Sequence, residues 1–273
     1  MLATAIIVFR EVLEAALVVG IVLAASRGVK RRLVWVSGGV AAGVLGAMLV
    51  AGFAGEIAAA VDGIGQELFN AAVLFAAVAM LGWHNVWMSR HGREMAAEAT
   101  RIGKDVLSGA QPLYALGLVV GLAALREGSE IVLFLYGVAV AGGYSAAVML
   151  VGGALGLAAG VAAGAAIYLG LLSIPLNRLF AVTSWLVLLL AAGMASQGAA
   201  FLVQADLVPP LGNTVWDTSR LLTEGSIPGQ VLHALMGYTA RPAGIQLVFY
   251  MMTLVGIGAL MRFLPHRRRV VRV

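Results

Sequence analysis

The sequence feature that most constrains the fold is a charged motif set inside a long apolar run. Arg10, Glu11 and Glu14 interrupt the run of residues 2–25. Each charge at the centre of a membrane span costs about 2.5–3.5 kcal/mol on an insertion scale, whereas each Leu, Ile, Val or Phe returns only about 0.3–0.6 kcal/mol. The three charges therefore cancel most of the driving force for inserting this span, and other parts of the protein must compensate them.

The same pattern returns later in the chain, where Arg126, Glu127 and Glu130 interrupt a second apolar run. Residues three and four apart share a helix face, so the two glutamates of each motif point the same way and the arginine can pair with the second glutamate. This recurrence predicts one shared, buried polar site to which both motif helices contribute.

Composition indicates a polytopic membrane protein. Of the 273 residues, 61% are hydrophobic and 11% are charged, whereas soluble domains are roughly 45–50% apolar and 25% charged. The sequence has no cysteine, which excludes disulfides, thiolate metal sites and cysteine nucleophiles. The net charge of +5 does not indicate nucleic-acid binding, because the basic residues lie in short segments between apolar runs, as the positive-inside rule expects.

The apolar runs predict an all-α fold with seven transmembrane helices in a single transmembrane domain, residues 1–264. The expected spans are residues 2–25, 33–55, 68–88, 112–140, 146–169, 179–203 and 244–264. We expect a cytoplasmic surface helix over 89–111, an outer segment over 204–243 and a basic cytoplasmic tail over 265–273. Clusters of Arg and Lys after the first, third and seventh spans predict an amino terminus outside the cell and a carboxyl terminus in the cytoplasm.

Residues 1–88 and 112–203 are predicted to form two repeats of three helices, with the seventh span added after them. The two motif helices are three spans apart, so they cross the bilayer in opposite directions and the repeat is inverted. Small residues at every fourth position of spans two and five support the repeat, because they would let a neighbouring helix approach closely. These residues are Gly39, Gly43, Ala47, Ala51 and Gly55 in span two, and Gly152, Gly156, Gly160 and Gly164 in span five.

The predicted site has four glutamate ligands and two arginine counter-ions near the bilayer midplane: Glu11, Glu14, Glu127, Glu130, Arg10 and Arg126. Carboxylate oxygens without thiolates suit a hard cation. With every group ionised, four negative and two positive charges leave a net charge of −2. The alternative interpretation is that the arginines and glutamates form a network that only fixes helix packing.

Further polar residues are candidates for accessory roles. His84 follows Trp83 near the predicted cytoplasmic end of span three; it could be a ligand or a proton relay, but an interfacial residue in an aromatic belt is the favoured interpretation. Gln197 could line a path or form a hydrogen bond between helices. Three acidic residues of the outer segment could catch a cation before entry, and helix caps or loop salt bridges explain them equally well: Asp206, Asp217 and Glu224.

The sequence resembles the oxidase-dependent iron permeases of fungi and bacteria. Residues 10–14 and 126–130 match the two Arg-Glu-x-x-Glu signatures of that family. The resemblance extends to Trp83-His84, Trp216-Asp217-Thr218-Ser219, Gly237-Tyr238 and the final span. The usual Gly-Leu pair between the glutamates is Val-Leu in the first motif and Gly-Ser in the second, which leaves the carboxylates in place.

The resemblance implies uptake of iron, generally ferric iron delivered by an oxidase, with the four motif glutamates as translocation ligands. It implies a multi-pass protein of the plasma (inner) membrane that carries iron as cargo and holds no permanent cofactor. The oxidase or iron-binding partner would be a separate extracytoplasmic polypeptide. Three alternatives stay open: a permease for another heavy divalent cation such as lead, an intramembrane enzyme that uses paired carboxylates, and a non-transporting scaffold.

Overall fold

A computed structural model gives the architecture, and it describes residues 1–60, 65–142, 145–170, 176–212, 214–224 and 226–263. Its helices are α1 (Leu2–Ala25), α2 (Arg32–Ala60), α3 (Gln66–Leu107), α4 (Tyr114–Gly142), α5 (Ala146–Tyr168), α6 (Leu176–Gln204), α7 (Ile227–Met236) and α8 (Gly244–Phe263). The described ranges contain no strand. The predicted basic tail, residues 265–273, lies outside the described residues.

Five helices are long and apolar enough to cross a membrane, when only the described residues are considered. These segments are Arg32–Phe53, Gln66–Met88, Ala146–Tyr168, Phe180–Gln204 and Gly244–Phe263. The motif helices α1 and α4 are not in this group, because each carries an arginine and two glutamates within its apolar run. Their charges are instead compensated by tertiary contacts, as the insertion cost requires.

Close helix pairs join the first half of the chain to the second, since α1 packs against α5 and α2 packs against α4. A Cβ atom added to Gly43 would lie 2.5 Å from the carbonyl oxygen of Gly121, and one added to Gly156 would lie 2.5 Å from that of Ala5. Only glycine allows these backbones to approach so closely. The prediction that small residues on α2 and α5 admit a neighbouring helix is confirmed at these positions, and that neighbour is in each case a motif helix.

The helix α3 differs from the prediction, because it continues without interruption to Leu107 instead of ending near residue 88. The expected separate surface helix over 89–111 is therefore the carboxyl-terminal half of α3. Ala99, Ile102 and Val106 recur at helical spacing and are buried, whereas Arg101 is exposed on the opposite face. This amphipathic pattern lets the second half of α3 pack alongside the end of α1 and the start of α4.

Two apolar clusters enclose the charged motifs. Ile7, Leu81 and Phe134 belong to one cluster, built from α1, α3, α4 and α6. Val22 and Leu116 belong to the other, on the opposite side of the motifs along α1 and α4. The charged groups thus occupy a layer between two apolar layers, where electrostatic interactions are stronger than in water.

The segment 204–243, predicted to lie outside the cell, is largely irregular in its described residues and folds back on itself. Its backbone hydrogen bonds run from Val215 N–H to the Pro242 carbonyl, 2.9 Å, and from Thr218 N–H to the Ala240 carbonyl, 3.0 Å. The short helix α7 packs against α6 and α1. This part of the segment is therefore packed on the helical bundle.

Candidate metal centre

The first motif is completely buried. The side chains of Arg10, Glu11 and Glu14 are at most 2% exposed. Arg10 Nε lies 3.2 Å from Glu14 Oε1, and Arg10 Nη1 lies 3.5 Å from Glu11 Oε1. One arginine therefore faces both glutamates of its own motif, as the helical spacing predicts.

The second motif has the same internal pairing but is more open. Arg126 Nε lies 3.1 Å from Glu130 Oε1 and 3.8 Å from Glu127 Oε1. Glu127 is buried, whereas 16% of the Glu130 side chain and 32% of the Arg126 side chain are exposed. The guanidinium of Arg126 lies over the ring of Trp87, 4.1 Å from its centroid. The two motifs are thus related in sequence but not equivalent in environment.

His84 joins the two motifs. Its Nε2 lies 3.6 Å from Glu11 Oε2 and 3.5 Å from Glu14 Oε2, and its Nδ1 contacts Glu130 Oε2. The interpretation of His84 as an interfacial residue is wrong, because the residue is only 3% exposed. The apolar stretch of α3 does end at Met88, and the contacts of His84 with both motifs result from the packing of α3 against α1 and α4.

Four side chains offer ligand atoms that lie within 4.8 Å of one another: Glu11, His84, Glu127 and Glu130. Glu14 is not in this compact set, although it lies beside His84 and pairs with Arg10. Several of these buried atoms lack a well-aligned hydrogen bond, including both carboxylate oxygens of Glu11 and one each of Glu127 and Glu130. Buried polar atoms without such partners are costly, and a bound cation would satisfy them.

A cavity of about 550 Å³ reaches this cluster from the side of α3 and α4. Its lining includes Trp83, His84, Trp87, Arg126 and Glu130. It therefore touches the second motif and His84, whereas the first motif is sealed behind them.

The other predicted accessory residues lie elsewhere. Gln197 is half-buried on α6, and Asp206 is exposed at the end of that helix with a φ of 54°. Glu224 Oε1 accepts a hydrogen bond of 2.7 Å from Ala240 N–H. Hydrogen bonds from the Ser219 hydroxyl and N–H, together with the pair to Arg241, lower the pKa of Asp217 to about 2. Glu224 and Asp217 thus make contacts within the loop, which agrees with the interpretation that they stabilise the loop.

The sequence model of the Iron permease FTR1 family matches residues 1–265. A Yersinia pestis protein named ferrous iron permease EfeU is 30% identical over 270 residues, which cover 96% of this chain and 93% of that protein. A protein of the same name from Escherichia coli O6:H1 is 30% identical over 274 residues, which cover 96% of this chain and 95% of that protein. No solved structure matches the chain.

Proposed function

Because the chain belongs to the Iron permease FTR1 family, we propose that it moves iron across the plasma membrane into the cytoplasm through the buried site formed by its two motifs. The observation that carries this proposal is the convergence of both motifs on His84, with four donor side chains within 4.8 Å. Ligand atoms about 2.0–2.2 Å from a metal ion lie at most about 4.4 Å from one another. A small contraction of the cluster would therefore coordinate an ion.

We propose Glu11, Glu127, Glu130 and His84 as the ligands in the arrangement described, with Glu14 as a further ligand during translocation. Glu14 lies 3.5 Å from the same imidazole nitrogen that faces Glu11, so a modest rotation of its side chain would bring it to the ion. An imidazole among carboxylates suits iron and related transition metals better than calcium or magnesium.

The charge of the site favours a divalent ion. With the four glutamates ionised, His84 neutral and both arginines charged, the net charge is −2, which a divalent cation neutralises. The similar proteins from Yersinia and Escherichia carry the word ferrous in their names. Ferric iron supplied by a separate oxidase is the alternative route, and lead is the alternative cargo, since any divalent cation would balance the same charge.

We also propose seven spans in an inverted repeat, with the amino terminus outside and the carboxyl terminus in the cytoplasm. The motif helices are long enough, since 24 residues in α1 and 29 in α4 extend about 36 Å and 44 Å, against a hydrocarbon core of about 30 Å. The packing of α1 on α5 and of α2 on α4 supports the repeat, because exchanging the two halves turns one pair into the other.

Iron uptake into proteoliposomes tests the proposal. Radioactive iron is supplied as ferrous ion in oxygen-free buffer or as ferric ion, each with and without lead. We expect uptake by the wild type, and its loss in Glu14→Gln and Glu130→Gln, since each change removes a proposed ligand and a partner of an arginine. Glu67→Gln is the matched control, because Glu67 is exposed at the start of α3.

Each outcome separates two interpretations. Uptake of ferrous ion without oxygen would show that no oxidase is required, whereas uptake of ferric ion alone would favour the oxidase route. Transport of lead without iron would make the chain a permease for another cation. Near-normal uptake by the Glu14→Gln or Glu130→Gln protein would contradict the shared four-glutamate site.

A further inference from the structure

Asn85 is a buried polar residue, 1% exposed, that lies next to His84 on α3 and touches three other helices. Its Oδ1 accepts a hydrogen bond of 3.5 Å from Arg10 Nη2 on α1. We propose that Asn85 is a positioning residue for iron transport, which orients Arg10 and thereby fixes the spacing of Glu11 and Glu14. This inference rests on the proposed function of the same site.

The contacts of Arg10 explain how Asn85 acts. The three nitrogens of the guanidinium face three different partners: Nε faces Glu14, Nη1 faces Glu11 and Nη2 faces Asn85. A guanidinium is planar and rigid, so holding its third corner fixes the directions of the other two. Without Asn85, a buried N–H group would lose its acceptor, and Arg10 would turn to share the two carboxylates differently.

Asn85 is itself held by the helices behind it. Its Nδ2 donates to the Ser184 carbonyl of α6 at 3.0 Å and lies 3.6 Å from Met261 Sδ of α8. Since the amide nitrogen faces these acceptors, the amide oxygen is directed to Arg10. Asn85 thus connects the first motif to α6 and α8.

The second motif has no equivalent of this contact among the described residues. Arg126 lies against the ring of Trp87, and its Nη1 lies 3.6 Å from Met95 Sδ. Both of these partners are also on α3, but neither is an amide. Asn85 should therefore act on Arg10 and not on Arg126, and this difference makes the proposal testable.

The experiment is a double-mutant cycle on the iron concentration that gives half-maximal uptake. Asn85→Leu removes the amide at similar side-chain volume, and Arg10→Lys keeps the charge but cannot reach Asn85 and both glutamates together. We expect each single change to raise the half-saturating concentration about tenfold, the size of one hydrogen bond to a charged group. The half-saturating concentration of the double variant should be no higher than that of the more impaired single variant.

Two controls separate positioning from a general packing role. Asn85→Leu combined with Arg126→Lys should show multiplied effects, because those two residues do not touch. Met261→Leu removes the thioether contact of Asn85 and leaves the Ser184 carbonyl to hold the amide nitrogen, so it should raise the half-saturating concentration less than Asn85→Leu does. Multiplied effects for Asn85→Leu with Arg10→Lys would overturn the proposal.

If Asn85→Leu does not fold, Asn85→Ser is used in the same cycle, because its hydroxyl is too short to reach Arg10. As before, a double variant that is no more impaired than the more impaired single variant supports the proposal, and multiplied effects overturn it. Absence of uptake by the wild type would instead contradict the proposed function, so the two failures are distinguishable.

Discussion

The two motif arginines should differ in how much they stabilise the fold, although the sequence presents them as equivalent. Arg10→Met leaves Glu11 and Glu14, both at most 2% exposed, without their arginine partner. Removing one partner of a buried ion pair costs about 3–5 kcal/mol. Arg126 is 32% exposed. A partly exposed pair contributes about 0–1 kcal/mol and the contact with Trp87 about 0.5–2 kcal/mol, so Arg126→Met should cost about 0.5–3 kcal/mol in total.

Denaturant titration of the purified protein in detergent, followed by helical circular dichroism, measures the free energy of unfolding of both variants. Arg101→Met serves as the control, because Arg101 pairs with Glu98 on an exposed face of α3; its stability should be close to that of the wild type. From the midpoints of these ranges, we expect Arg10→Met to be less stable than Arg126→Met by about 2 kcal/mol. Equal losses of stability would refute the reasoning, since they would mean that burial does not determine how much these ion pairs contribute to the free energy of unfolding.

Two further outcomes follow from the described contacts, and a third tests the proposed topology. His84→Leu should leave the protein helical but raise the half-saturating iron concentration at least about tenfold, because it removes the imidazole between the motifs; normal uptake would exclude His84 as a ligand. Gly43→Ala should lower the free energy of unfolding by about 1–3 kcal/mol through overpacking, whereas Gly52→Ala on the same helix, with nothing within 4 Å, should have little effect. Val270→Cys should be labelled only by membrane-permeant reagents when these are added outside, and labelling by an impermeant reagent would reverse the topology.

Local spacing accounts for most of what the sequence predicted correctly. Glu11 and Glu14 are three residues apart, so any helix over residues 2–25 brings them to one face. Gly152, Gly156 and Gly160 are four apart, so they form a stripe that a neighbouring helix can approach. Neither result depends on where the other helices lie, and for this reason both could be derived from the order of residues alone.

Contacts between distant helices account for what the sequence did not predict. His84 was only one of the candidate ligands in the sequence, because the Trp-His pair at the end of an apolar run favoured a membrane interface, and Asn85 was not a candidate. Their position in the site results from the packing of α3 against α1 and α4. The continuation of α3 to Leu107 was also not predicted. Ala99 and Ile102 are buried and favour this continuation. In the sequence, however, they are only two apolar residues at helical spacing within a charged stretch.

The sequence alone thus determined the membrane class, the pairing within each motif and the glycine contacts, because these follow from composition and from spacing along one helix. Tertiary structure decided that His84 lies between the motifs, that Glu14 is outside the compact donor set, and that Arg10 is sealed while Arg126 is partly open. These features depend on the distances between helices that are far apart in the chain. Such distances result from packing over the whole bundle, and no short segment contains them.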